Sequence, residues 1–237
     1  MDRKRKRSST SKFRPSKARA TARAVSRMLS RQGGFNIRDG RLPYNERKFL
    51  DTSVLASAVI GTAATTWNFN LLNGIAQGTD ANNRIGRVIK WNSLNCRMST
   101  SATATMAGIG GSVRILLIVD KQNNGGALPS ATDVFVNNDI SSLMNLDNRT
   151  RFHVLYDKYI YLGPPVASNG SLPPCAEKRA YIRKQIKGMT TVFNGTGSGI
   201  GTIISGSLLL AVCQNGGLAG TAPIVGGNWR FRLRFHD

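Results

Sequence analysis

Arg230, Arg232 and Arg234 alternate with Phe231, Leu233 and Phe235 along one short stretch of the chain, and Arg3, Lys4, Arg5, Lys6 and Arg7 form an unbroken cationic run in another. A period of two sets the three guanidinium groups on one face of a β-strand and the three apolar side chains on the other. The chemistry that both patterns support is the capture of anions, and phosphate is the anion that suits it. Residues 1–31 hold twelve basic residues, adding Lys12, Arg14, Lys17, Arg19, Arg23, Arg27 and Arg31 to the opening run, against the single acid Asp2. This segment is too charged and too poor in apolar residues to fold onto a core, so it stays solvated or meets a polyanion. Lys4, Arg5, Lys6 and Arg7 also have the form of a nuclear localisation signal, which a nuclear import receptor would read.

Residue types that do covalent or metal chemistry are sparse. Two histidines, His153 and His236, stand alone, at no spacing that suggests a metal pair or the base of a nucleophile. Cys96, Cys175 and Cys213 are far apart and odd in number, which argues against a disulfide framework and gives no zinc spacing. The run Gly195-Thr196-Gly197-Ser198-Gly199-Ile200-Gly201 matches neither phosphate-loop pattern, lacks the following Lys, and precedes a strand, so it reads as a loop. Asp80, Asp120, Asp133, Asp139 and Asp147 could bind calcium at subunit contacts, but they lack the spacing of a calcium loop and read as turn residues. Sequons at Asn148, Asn169 and Asn194 read as turn sequences. The expectation is a protein with no catalytic residue, no metal and no cofactor.

The elements that position these residues follow from charge and periodicity. Of the net +21, the segment through Lys48 supplies +13 and the remainder +8, so the body is basic as well as the arm. Arg19, Arg23, Arg27 and Arg31 recur every four residues among alanines, one face of a helix that forms against phosphates or of an arm unstructured in every state. Gly33, Gly34, Gly40 and Pro43 mark a hinge, which divides the chain into a nucleic-acid-binding arm over 1–45 and a folded domain over 46–237. Eight strands are expected near 46–60, 64–73, 84–101, 111–120, 151–162, 178–193, 202–214 and 228–236. Val113 to Val119 is almost wholly apolar and suits a strand covered on both faces, with 207–213 as its mate. A short helix is expected near 132–144, and irregular chain over the prolines of 163–177. Eight antiparallel strands with long loops fit an all-β, single jelly roll of two sheets, B-I-D-G and C-H-E-F. No stretch has the length and apolarity of a membrane span or of a signal core, so a soluble, intracellular chain is expected where it is made.

Lettered in order, the first sheet would receive Arg47, Lys48, Arg84, Arg87, Lys90, Arg97, Lys178, Arg179, Arg183, Lys184, Lys187, Arg230, Arg232 and Arg234. The second would receive only Arg114, Arg151 and Lys158. This segregation points to the first sheet, with Arg183, Lys187, Arg230, Arg232 and Arg234, as the surface that meets nucleic acid. Solvated edges and subunit ion pairs are the competing explanation for any one of them. Trp91, Tyr181 and Trp229 lie beside these clusters, as core or interface anchors or as stacking platforms.

The basic arm, the eight-strand pattern and two stretches carry a resemblance: Gln77-Gly78-Thr79-Asp80-Ala81-Asn82-Asn83-Arg84-Ile85-Gly86-Arg87 and Arg114-Ile115-Leu116-Leu117-Ile118-Val119-Asp120. The sequence resembles the capsid proteins of small circular Rep-encoding single-stranded DNA viruses. Its arrangement is also similar to the shell protein of satellite tobacco necrosis virus, a single jelly roll around RNA. The resemblance implies a virion protein without enzymatic role. It further implies about 60 copies closed into a T=1 icosahedral shell around a viral genome, single-stranded DNA or alternatively RNA, with the arms turned inward. The rival from another class is a monomeric nucleic-acid-binding β-domain.

Overall fold

The computed structural model describes residues 47–55, 66–102, 111–124, 126–162, 177–215 and 225–237. The basic arm with its expected helix and hinge, Cys175, Asn169 and the proline-rich 163–176 lie outside the described residues. Eleven strands occur among those described: β1 (Lys48–Leu55), β2 (Asn68–Leu71), β3 (Val88–Ala102), β4 (Gly111–Asp120), β5 (Phe152–Leu162), β6 (Glu177–Gln185), β7 (Thr190–Phe193), β8 (Ile203–Ser205), β9 (Ser207–Asn215), β10 (Val225–Gly226) and β11 (Asn228–His236).

They form two antiparallel sheets. One runs β1-β11-β3-β7-β8, with β6 and β10 also on β3; the other runs β2-β9-β4-β5. With β6 and β7 as the two halves of strand G, these are the B-I-D-G and C-H-E-F orders of a jelly roll, as the sequence led us to expect. β4 and β9 are mates through the register Ile115↔Val212. Every residue of β4 except Ser112 is buried, because both of its faces are covered.

The main core lies between the sheets, where Trp91, Leu94, Cys96 and Met98 of β3 and Trp229, Phe231, Leu233 and Phe235 of β11 meet Val113, Ile115 and Leu117 of β4. A second cluster covers the opposite face of β4: Trp67 stacks on Phe135 at 3.9 Å between ring centroids, over Leu116, Ile118 and Ala211. Its cover is the connection between β4 and β5.

That connection departs from expectation. The helix is a single turn, Ala131–Val134, started by a capping box between Ser130 and Asp133, and Phe135 already has extended backbone. Residues 137–142 are rich in Asn, Asp and Ser, whose side chains bond nearby backbone: Ser142 Oγ accepts from Asn137 N–H, and Asp139 accepts from Ser141 N–H. Such bonds compete with a helix. Strand D also starts later than expected, at Val88 rather than residue 84, because Arg84 is drawn into a loop described below.

Strand H is interrupted at Gly206, where the chain passes from one sheet to the other between β8 and β9. The backbone there has φ +75°, and a Cβ would collide with the Thr190 carbonyl, so only glycine fits the corner.

Candidate nucleic-acid interface

Register decides which side chains share the outer face of the first sheet. Across β1, β11, β3 and β6, one row reads Ser53, Arg230, Arg97, Tyr181 and the next Asp51, Arg232, Asn95, Arg183. Phe49 and Arg234 follow towards one end, and Arg179 stands opposite Ser99 towards the other. The apolar partners in each alternation, Phe231, Leu233 and Phe235, are buried in the core, while Arg230 and Arg232 are exposed and Arg234 half-buried. Six guanidinium groups, from three strands distant in sequence, thus lie on one bare face.

Two of the six are neutralised. Arg232 donates Nε and Nη2 to both Asp51 oxygens at 2.6 and 2.5 Å, across the β1–β11 pairing. Arg179 donates to Glu177 at 2.8 and 3.1 Å. The Arg232 hydrogen bond holds the Asp51 carboxyl below its ordinary value, and Arg179, then Ser99, bring Glu177 down to about 2. Both acids therefore stay ionised at neutral pH. Among the described residues, Arg97, Arg183, Arg230 and Arg234 have no carboxylate partner. Arg230 and Arg97 stand directly opposite each other, a like-charge pairing that destabilises a sheet unless an anion lies between.

The face is not flat. Hollows of about 280, 360 and 450 Å³ follow one another along it. The first two share Arg97, Tyr181 and Arg230, and the third is lined by Arg47, Arg183, Lys187 and Arg234. Arg183, Lys187, Arg230, Arg232 and Arg234 are therefore brought together on one surface, together with Arg97, which the strand pattern placed in this sheet without singling it out.

Other basic residues assigned to this sheet are used elsewhere. Arg84 is fully buried: Nε donates to the Ile75 carbonyl at 3.0 Å, Nη1 to Gly86 at 2.8 Å and Nη2 to Gly195, with its guanidinium 4.1 Å from the Phe193 ring centroid. It clamps the loop before β3 to the glycine loop after β7, and burial pushes its pKa down. Lys48, 2 % exposed, meets Asp237 at 2.9 Å, and Asp237 also accepts from Ile85 N–H. Lys178 and Lys184 alternate with the outward residues of β6 and so fall on its other face.

Among the described residues, the second sheet offers no comparable cluster of guanidinium groups. Arg114 donates to both Asp157 oxygens and to the Ile140 and Ser142 carbonyls, fastening the covering connection to β4. Arg151 is paired with the buried Asp120. The remaining loop acids are engaged in turns: Asp80 accepts from Asn83, and Asp133 from the Ser130 backbone. No group of three or more His, Cys, Asp or Glu able to hold a metal occurs among the described residues. Burial pushes the Cys96 and Cys213 thiols to about 12, which leaves them neutral and unreactive. Trp91 and Trp229 are core residues, each with its indole N–H on a threonine hydroxyl, Thr191 and Thr100. Tyr181 is 61 % exposed, on the basic face.

Two antiparallel sheets in these orders, one of them with an exposed and cationic outer face, define a jelly-roll β-sandwich. Residues 44–198 match the satellite tobacco necrosis virus coat protein family, and the chain belongs to it. It is a viral coat protein. No curated protein sequence matches. Similar solved structures include Desmodium yellow mottle tymovirus, at 10 % identity and TM-score 0.37, covering 100 % of this chain and 95 % of that one. Empty heads of turnip yellow mosaic virus give 11 % identity and TM-score 0.36, covering 100 % and 90 %. Latent PorU from Porphyromonas gingivalis gives 11 % identity and TM-score 0.36, covering 80 % of this chain and 13 % of that one.

Proposed function

We propose that this coat protein closes into a T=1 shell of about 60 copies around a single-stranded circular DNA genome, with the bare face of the first sheet and the arm turned towards it. The observation that carries this reading is the bare face itself, with four guanidinium groups that lack a carboxylate partner among the described residues. The arm residues Arg3 to Arg7, Lys12, Arg14, Lys17, Arg19, Arg23, Arg27 and Arg31 add the larger share of positive charge. At +21 per chain, about 60 copies bring about 1,300 positive charges, comparable to a genome of roughly one to two thousand phosphates. Neutralisation by guanidinium is blind to the sugar, and membership of the satellite tobacco necrosis virus coat family favours RNA as the second reading.

Electron microscopy of the purified full-length protein, followed by nuclease digestion of the copurifying nucleic acid, tests the proposal. Closed particles with a DNase-sensitive cargo support it, an RNase-sensitive cargo selects RNA, and a monomer on size exclusion overturns the shell. A DNA genome copied by host polymerases requires the coat in the nucleus, a role for Lys4, Arg5, Lys6 and Arg7. Residues 1–12 fused to a reporter too large for passive entry should accumulate there, and a cytoplasmic reporter removes the idea.

A further inference from the structure

We infer that Tyr181 is a base-stacking platform, and that it, Arg97 and Arg230 form a site for one or two unpaired nucleotides on the bare face. The inference rests on the reading that this face meets the genome, and adds that the contact reaches bases as well as phosphates.

Three observations converge on it. Tyr181 is a large aromatic side chain left 61 % exposed in mid-strand, although the two tryptophans of the same sheet are buried in the core with hydrogen-bonded indoles. It stands opposite Arg97, whose guanidinium carbon lies 5.9 Å from the ring centroid, and Arg97 in turn stands opposite Arg230. Hollows of about 280 and 360 Å³ adjoin Tyr181, and both are walled by these same three residues. A ring with space beside it and, within one row, two cations that have no ion pair among the described residues offers a nucleobase an apolar face and its phosphates two donors. A duplex hides its base faces within its own stack, so the site fits single strands. An acidic peptide would satisfy the arginines and leave the ring unused.

The full-length protein can be irradiated with an oligothymidylate carrying one 5-iodouracil, and the crosslinked peptide identified by mass spectrometry. Crosslinking at Tyr181 is expected. Alongside it, Y181L should weaken binding about 5- to 150-fold with the salt slope unchanged, while Y181F keeps affinity. R97Q with R230Q should instead lower the slope by about 1.4. Matching melting curves establish that the variants are folded. Crosslinks confined to residues 1–45, or Y181L binding as tightly as the parent, would overturn the stacking site while leaving packaging intact. Polyglutamate that competes as well as oligothymidylate would likewise reduce the site to a general anion surface. A full-length protein that does not bind the oligonucleotide, or a slope unmoved in R97Q/R230Q, removes the reading of the face itself.

Discussion

The three alternating arginines of β11 are not equivalent, because Arg232 is held by Asp51 while Arg230 and Arg234 form no ion pair among the described residues, Arg234 acting on Asp51 only at longer range. Replacing all three by Gln leaves the buried Phe231, Leu233 and Phe235 untouched, so the strand should persist. The log-log salt slope of single-strand binding should fall by about 1.4, two contacts rather than three. An unchanged slope would move this face to a subunit contact or to the particle exterior. Conversely, Asp51→Asn should free Arg232 and steepen the slope by about 0.7, measured in the same titration. Acid should have the same effect: the hydrogen bond to Asp51 raises the Arg232 pKa, and Asp51, itself depressed by that bond, releases Arg232 as the pH falls through its lowered value. The alternation was legible in sequence. The acid opposite it was not, since Asp51 lies 181 residues away and only the β1–β11 register brings the two together. Arg84 was misread for a related reason: it belongs to a stretch full of turn residues, and nothing local reveals that its guanidinium ends among three carbonyls.

At the level of elements, the strands that can be read most directly are those whose environment is uniform along their length. β4 and β9 are apolar almost throughout because both faces are covered, and β11 alternates because one face is bare. Truncating Phe231 or Phe235 to Ala should cost about 3–5 kcal/mol, read as a lowered denaturant midpoint with unchanged slope. Interruptions were harder to see. Gly206 looks like one more glycine in a glycine-rich body, yet it is the corner at which strand H changes sheets. Gly206→Ala should destabilise by more than about 1 kcal/mol, since the left-handed backbone and the Thr190 carbonyl both oppose a methyl group. A melting temperature unaltered by that change would show that the corner can relax. The expected helix over 132–144 is a single turn because the Asn, Asp and Ser side chains that follow bond nearby backbone, while Phe135 and Ile140 pack in the cluster with Leu116 and Ile118 of β4.

On the scale of the whole molecule, sheet order and the separation of charge between the two sheets both follow from the order of strands in the sequence. Which cations survive as free charges depends on pairings that only the fold creates. Removing residues 1–31 takes away +11 and none of the described core, so the remaining chain should keep its melting transition. Its particles should have a much lower ratio of absorbance at 260 to 280 nm than the full-length protein, and an equal ratio would show that the arm is not the packaging element. The arginines of this face that lack an ion pair among the described residues bear on when the proposed shell can close. In the proposed shell, copies set side by side with that face turned inward bring like charges together, a repulsion that salt screens over about 8 Å at physiological strength. Closure around nothing then works against self-repulsion, whereas closure around a polyanion relieves it. In the proposed shell, the face that holds the cargo would thereby act as a checkpoint on assembly, with empty particles expected chiefly where added salt screens it.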